Sequence, residues 1–492
     1  MNGRRSPQQL SLGTPVIEAP TTRARELLRA ISELVDFEFV YEKARPYFAD
    51  DGRPSIDPVV MIKLMLMGYL FDIESDRRLV DEAADRLSFR EFLGYLTDEP
   101  MPAHSSFTHW RNRLGPDFFR EVLHEIVCQC EAHGMTLSGA RCVDGTRIKA
   151  QAGRGGPKIE VPRDADLHDY LEQYFSENPP PESPPDTGTD TIAINTHDPD
   201  ARLDARPNER TAFVYYGSFS SDPESGLVTD TAAHAREEAG TAVDHVDHDP
   251  GDVNELAADT LYDNAATLAA LQERGVTCYV PEPAEPTGAR LGKSHFRYDA
   301  ARDVYICPAG KELKRSRYHK QRRANFYTAK VSDCKNCPHK SACTTAARRS
   351  VSRLELQYAR DATVRSGPRY EHLQRRRTIA EHLNMLGKRD HALSRARGLG
   401  LSAMRIQVAL VGTAINLKKL VRYAGLRSSD AFLCAAVALV VFVWASRAWF
   451  GLWSALSGGS WVPRAESSAA AITRTVLPRR TSRAQLAANR GF

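Results

Sequence analysis

The chain has 492 residues and a net charge of +4, with 42% hydrophobic, 26% charged and 8% aromatic residues. That is ordinary globular usage, which excludes collagen-like and wholly disordered classes, and the length suffices for one large core and about three domains. The near-neutral total hides an asymmetry: residues 151–260 hold 24 Asp and Glu against 7 Lys and Arg, whereas 311–400 hold 23 Lys and Arg against 7 Asp and Glu.

The opening MNGRRSPQQLSLGTPVIEAP is polar and contains proline, without the apolar stretch of a secretory signal, and the nine cysteines are an odd count. Both features predict a cytoplasmic protein with reduced thiols or a metal site rather than a disulfide scaffold. Residues 22–134 read as helical throughout. PVVMIKLMLMGYLF (58–71) is apolar nearly all round, as in a helix buried within a bundle, and SDRRLVDEAADRLSFREFLGYL (75–96) has apolar residues at helical spacing. After a turn at Asp98-Glu99-Pro100, HSSFTHWRNRLG (104–115) predicts a short helix, capped by Ser105 or Ser106, that carries Arg111 and Arg113. It reads either as part of a DNA-contacting helix-turn-helix or as an ordinary solvated face.

Period-two alternation begins at Ser138, where SGARCVDGTRIKA predicts a strand. An acidic stretch rich in Pro and Gly follows, predicted as an exposed excursion over 151–208. Strand character returns at TAFVYYGSF (211–219), LVTDTAA (227–233) and LAAD (256–259), and again at GVTCYVP (275–281) after the helix-like DNAATLAALQER. This alternation predicts a mixed sheet in an α/β core, interrupted over 282–369 by basic, cysteine-bearing material. Helices from about Glu371 to Lys388 and over 401–423 close it. No internal repeat of fixed period is evident. In the tail, AFLCAAVALVVFVWA (431–445) gives fifteen uncharged residues, short of the roughly 20 that span a bilayer; a non-functional extension and a membrane anchor are its two readings.

Four groups of residues bear on chemistry. Asp144 sits in the middle of an otherwise apolar strand, where a carboxylate needs a compensating partner such as a cation. Asp259 stands at the carboxyl end of LAAD, the edge at which open α/β sheets collect ligands. Just upstream, DHVDHDPGD (244–252) mixes Asp and His without a fixed ligand spacing and reads as a polar loop rather than a metal site. Glu381 has Arg377 four residues before it and Lys388 seven after, so the three share one helical face. Two strand-end aspartates and a helical glutamate flanked by cations form the set that divalent-metal phosphoryl chemistry requires. The fourth group is Cys307, Cys334, Cys337 and Cys343, a Cys-x2-Cys pair with two outlying thiols that can make a closed, structural Zn²⁺ site, with His339 as an alternative ligand. Around them KELKRSRYHKQRR, and RRR at 375–377, interleave with Tyr318, Phe326 and Tyr327, the footprint of a phosphate-backbone partner.

Taken together, these residues resemble the DDE transposases of bacterial insertion sequences, from about Asp36 to Tyr423. The helical opening and HSSFTHWRNRLG are similar to that family's N-terminal domain, VDGTRIKA to the strand with its first Asp, and AADTLYD to its second-Asp motif, although Leu261 stands where a Gly is usual. Arg377, Glu381 and Lys388 fit the signature Tyr-x2-Arg-x3-Glu-x6-Lys, with Gln374 in the Tyr position. The cysteine pattern resembles an insertion found in one branch of the family. The interval between LVTDTAA and LAAD looks shorter than usual, so a trimmed or rearranged sheet is expected there.

The resemblance implies an α/β fold, a ribonuclease-H-like mixed sheet with flanking helices preceded by an all-α domain. It assigns 22–134 to a DNA-binding helical domain, 135–425 to the catalytic domain, and leaves 426–492 unassigned. It implies metal-dependent cleavage and strand transfer at insertion-sequence ends, without a covalent protein intermediate. Asp144, Asp259 and Glu381 would be the catalytic residues holding two Mg²⁺ ions, for which Mn²⁺ substitutes; the cysteines would hold Zn²⁺. Arg377, Lys388, Arg111 and Arg113 would contact DNA. The implied partners are double-stranded DNA with terminal inverted repeats, target DNA and a second copy in a homodimer, with no small-molecule substrate and a cytoplasmic, nucleoid-associated location. The alternative is a non-enzymatic, zinc-organised DNA-binding protein derived from a transposase; an anchored membrane protein is a third class.

Overall fold

The computed structural model describes residues 21–48, 55–152, 158–162, 191–205, 210–235, 241–282, 291–319, 324–354 and 362–426. The tail reading, the opening residues and most of the 151–208 excursion lie outside them.

The helical opening is as expected: α1 (Arg23–Leu34), α2 (Phe39–Ala44), α3 (Pro58–Leu70), α4 (Asp76–Asp85), α5 (Leu87–Leu93) and α6 (Ser105–Ala132). The all-apolar α3 is the central one. Asp57 starts it by accepting from the Val59 and Val60 amides at 2.8 and 3.3 Å, and Pro58 follows at the position where a missing N–H costs nothing. Its one cation, Lys63, lies over the Phe37 and Phe92 rings, 5.0 and 4.8 Å from their centroids. The predicted short helix at 104–115 is the first part of the much longer α6. No serine caps it; His104 is the cap residue and makes no side-chain bond. Gly115, at φ 70° and ψ 171°, and Pro116 break α6 into two segments, the second of which buries Phe119, Val122, Leu123 and Ile126.

The catalytic-type sheet runs β4 (Arg202–Asp204), β5 (Ala212–Ser221), β1 (Ala140–Lys149), β7 (Glu255–Ala257), β8 (Thr277–Tyr279), and β6 (Val228–His234) also pairs with β5. β5 is antiparallel to β1 and β6 to β5, whereas β7 lies parallel to β1 and β8 parallel to β7. This is the mixed, ribonuclease-H-like sheet anticipated from sequence. The sheet is not trimmed before β7: α7 (Thr241–His248) fills the interval that looked short, and DHVDHDPGD is half helix rather than a loop. The excursion also returns early, because β4 rejoins the sheet and Ala201 is buried, while the backbone of β2 (Lys158–Pro162) and β3 (Thr191–Asn195) forms a separate two-stranded ribbon.

α8 (Ala265–Glu273) links β7 to β8. A second sheet, antiparallel throughout, follows: β9 (Arg297–Asp299), β10 (Val304–Ile306), β11 (Glu312–His319), β12 (Ala324–Thr328) and β13 (Ser350–Leu354), with short helices α9 (Val331–Lys335) and α10 (Lys340–Cys343) between the last two strands. The helix predicted from Glu371 is two, α11 (Pro368–Arg376) and α12 (Thr378–Asp390), which meet at Arg377. Finally α13 (Gly400–Leu426) is long and apolar enough to cross a membrane, yet most of it is buried in the core. Its Val408, Leu410, Val411 and Leu417 belong to the same apolar cluster as α3, the second segment of α6, and Phe213, Tyr215 and Phe219 of β5.

Candidate active site

Strand register brings the two aspartates together. Cys142 of β1 faces Ala257 of the parallel β7, so Asp144 and Asp259, each two residues further on, stand at the same level of adjacent chains. Asp259 lies just past the end of β7, and its Oδ1 accepts from the Leu261 amide at 2.9 Å, starting the 3-10 turn Thr260–Tyr262. The helix α12 then lays Glu381 and Asn384, one turn apart, beside β1. Asn384 donates from Nδ2 to Asp144 Oδ2 at 2.8 Å, and Arg377 Nη1 lies 2.9 Å from Glu381 Oε1 and 3.9 Å from Asp144 Oδ1.

The electrostatics agree with this gathering. Burial pushes the Asp144 carboxyl up to about 6; Asn384 and Arg377 hold it down, while the negative charges of Asp259 and Glu381 raise it further. Among the described residues, Asp259 Oδ2 and Glu381 Oε2 have no donor and Asp144 Oδ1 has only Arg377 at 3.9 Å, leaving hard oxygens of the kind Mg²⁺ takes. Among the described residues no three acidic, thiol or imidazole groups are close enough to hold an ion by themselves.

Lys388, two turns past Glu381, lines an open depression of about 530 Å³ with Thr146, Asn384 and Arg389. Thr146 is two residues from Asp144 and so on the same face of β1. Gln374, in the Tyr position of the signature, donates to Tyr279 O at 2.8 Å and accepts from Arg377 Nε at 3.4 Å. It thereby ties the front of the Arg377 side chain to β8. In the helical region Arg111 is held by Asp76 through two bonds of 2.6 and 2.9 Å, whereas Arg113 is exposed over the Phe48 ring.

Two features escaped sequence reasoning. Asn384 carries a signal in hindsight: a polar residue one turn from Glu381, among Leu383 and Leu386. The other is Asp230, a carboxylate in the apolar strand LVTDTAA, which the argument applied to Asp144 singles out equally. Asp230 accepts from Arg120, from His124 Nε2 at 3.0 Å and from His245 Nδ1 at 2.7 Å, and His245 Nε2 meets Ser218 Oγ at 2.8 Å. So His245 turns into the core, His234 pairs with Asp244, and Asp249 with Arg141, which disperses the Asp/His run over separate partners.

The acidic and basic segments also partly meet: Arg369 pairs with Glu255 and His372 with Glu224, while Arg365 pairs with Asp263 just beyond the acidic segment. The four cysteines are free thiols lining one cavity of about 30 Å³ together with His339. Burial raises the Cys343 thiol, Arg349 lowers it, and the other three thiols raise it further. Cys307 opens a tight turn in which Gly310, at φ 72°, lets the Lys311 amide reach the Cys307 sulfur at 3.3 Å.

A family model described as a transposase domain (DUF772) matches residues 16–113, and one described as a transposase DDE domain matches residues 306–421. No curated protein matches the chain. A solved structure, "Cryo-EM structure of piggyBac transposase synaptic complex with hairpin DNA (SNHP)", aligns over 83% of this chain and 75% of that one, at 9% identity and a TM-score of 0.31.

Proposed function

We propose that the chain is a DDE transposase that cleaves and rejoins DNA strands at the ends of a mobile element, a reading supported by the transposase domain matched over 16–113 and the transposase DDE domain matched over 306–421. The observation that carries this reading is the β1–β7 register, which sets Asp144 level with Asp259 while α12 delivers Glu381 beside them. Asp144, Asp259 and Glu381 would hold two Mg²⁺ ions, or Mn²⁺ in their place, which would supply Lewis-acid activation of the scissile phosphodiester and of the attacking hydroxyl. Water gives up a proton and attacks the phosphorus as the 3′ oxygen leaves and is protonated, which leaves a 5′ phosphate; the freed 3′ hydroxyl then loses its proton and attacks a target phosphorus in line, expelling that strand's own 3′ oxygen.

The chain's own residues position the strands. Asn384 fixes the orientation of Asp144, and Arg377, steered by Gln374, spans Asp144 and Glu381, where it holds a phosphate and offsets charge that builds up in the transition state. Lys388 grips the neighbouring phosphate from the depression it shares with Thr146. Residues 22–134 contribute DNA contacts through exposed Arg113, with Arg111 bracing that helix against Asp76. Cys307, Cys334, Cys337 and Cys343 would be the ligands of a structural Zn²⁺, supported by the cavity that they line together, and two copies would pair two DNA ends.

The test is incubation of full-length protein with duplexes carrying the flanking inverted repeats. Strand cleavage in Mg²⁺ or Mn²⁺, lost in chelator and restored on metal addition, is expected. Cleavage that continues in chelator would defeat the proposal.

A further inference from the structure

We propose that a cationic groove on the second sheet seats the sugar-phosphate backbone of duplex DNA outside the catalytic carboxylates. The inference rests on the transposase reading above and extends it to a specific surface.

The groove, of about 440 Å³, is walled by Lys311, Lys314 and Arg315 at the start of β11, by Lys330 after β12, and by Arg348 before β13. All five are exposed, and none has an ion-pair partner among the described residues, in contrast to Arg365 and Arg369, which acidic residues hold. Glu312 and Asp333 also line it; Glu312 is engaged by Arg302 at 2.7 Å, and Arg315 shares part of its charge with nearby Asp303, which leaves five cations against two lining carboxylates. The groove therefore keeps a surplus of unneutralised positive charge, while the Ser316 and Thr328 hydroxyls in its wall can donate to phosphate oxygens.

Local geometry explains how consecutive residues reach one cavity. Lys314 pairs regularly with Thr328 and Arg315 with Tyr327; the pairing then slips between Arg315 and Arg317, and the bulge there re-aims side chains so that Arg315 and Ser316 both line the groove beside Lys314. The floor is firm, because Lys311, Ala329 and Asp333 also line the cysteine cavity directly behind. Leu313 and Tyr327 of the same two strands are buried in the sheet's own apolar cluster.

Topology favours DNA as the occupant. The second sheet is inserted between β8, which neighbours the Asp259 strand, and α11–α12, which carry Glu381. The returning chain docks on β8 through the Val364 amide to Cys278 O at 2.9 Å. In chain order the groove thus lies between the strand that neighbours Asp259 and the helix that carries Glu381, so both flanks of the second sheet lead back to the carboxylates. A row of five point charges in an open groove suits a repeating polyanion better than a single small anion.

The experiment measures binding of the full chain to fluorescent duplexes in chelator, with no divalent metal, over a range of salt. One duplex carries an element end and the other an unrelated sequence. The double variant Lys314→Gln/Lys330→Gln should weaken both duplexes alike. It should lower the slope of log affinity against log salt by about 2, since each phosphate contact contributes about 0.9. Arg348→Gln should lower it by about 1, and serves if the double variant melts early. An unchanged slope in variants with unaltered thermal unfolding would overturn the proposal. So would an RNA hairpin or polyglutamate that outcompetes duplex DNA. Because no strand is cut in chelator, failure here leaves the cleavage reading standing; loss of metal-dependent cleavage with a normal salt slope would instead remove that reading and keep the groove.

Discussion

Replacing Asp230 with asparagine tests how the helical region is fastened to the sheet. Asp230 is fully buried on β6 and accepts from Arg120 Nε and Nη2 at 2.8 and 2.9 Å, both from α6, as well as from His124 and His245. Burial works to raise its carboxyl, but the bonds from His124 and His245 and the charges of His245 and Arg120 outweigh it, and the group lies well below the usual carboxylate range. Asparagine keeps the shape and loses the charge, and its amide group meets donors where an acceptor is needed. Breaking a buried pair costs about 3–5 kcal/mol; Arg120 is 19% exposed, so water relieves its edge and the lower figure, about 3 kcal/mol, applies. Urea unfolding at neutral pH reads this difference. Because the folded value is depressed, the stabilisation is complete above the unfolded carboxylate value of about 4 and is lost as pH falls below it. The two proteins should therefore converge in acid. A loss under about 1 kcal/mol at neutral pH, or a gap that persists in acid, would refute the reasoning.

Other predictions follow from individual groups. His391 is buried, with Nδ1 2.8 Å from Tyr69 O, and burial first, then Lys418, lowers its value to about 4. The unfolded chain, titrating near 6.5, takes up the proton first, so stability is full above that pH and falls by about 3 kcal/mol between 6.5 and 4. His391→Gln should flatten this part of the pH–stability curve, and an equally steep curve would count against the assignment. Asn384→Ala should raise the Mg²⁺ concentration needed for half-maximal cleavage by about 10–100-fold with DNA affinity unchanged, as removal of a group that orients a ligand does; a parallel drop in DNA affinity would show a structural role instead. Elemental analysis should find one zinc per chain, lost in Cys334→Ser/Cys337→Ser, and a metal-free native protein would exclude the zinc proposal.

The strands of a mixed sheet and the three acidic candidates are legible in the sequence, because each is a local signal: alternation around Asp144, the short apolar run before Asp259, and the four-residue spacing of Arg377 and Glu381. What it concealed depends on contacts between distant segments. Nothing near Asp230 announces Arg120 and His124, which arrive from a helix 106–110 residues earlier. The histidines of 244–252 look like metal ligands in a row, but a helix separates their directions, and His245 alone faces the core. The opposed acidic and basic segments likewise look like a binding surface and a spare anionic region. In the fold, pairs such as Arg369–Glu255 neutralise part of each, and the groove on the second sheet is where cations stay unpaired.

The most direct test of the central claim is an exchange of metal preference at Asp259. A carboxylate suits Mg²⁺, whereas a thiolate is a poor ligand for that hard ion and a better one for Mn²⁺. Cleavage of an element-end duplex by Asp259→Cys, measured in each metal beside the native chain, should be abolished in Mg²⁺ and recovered in part in Mn²⁺, with duplex binding retained in both. Full cleavage by the variant in Mg²⁺ would contradict the assignment of Asp259 as a metal-holding catalytic carboxylate.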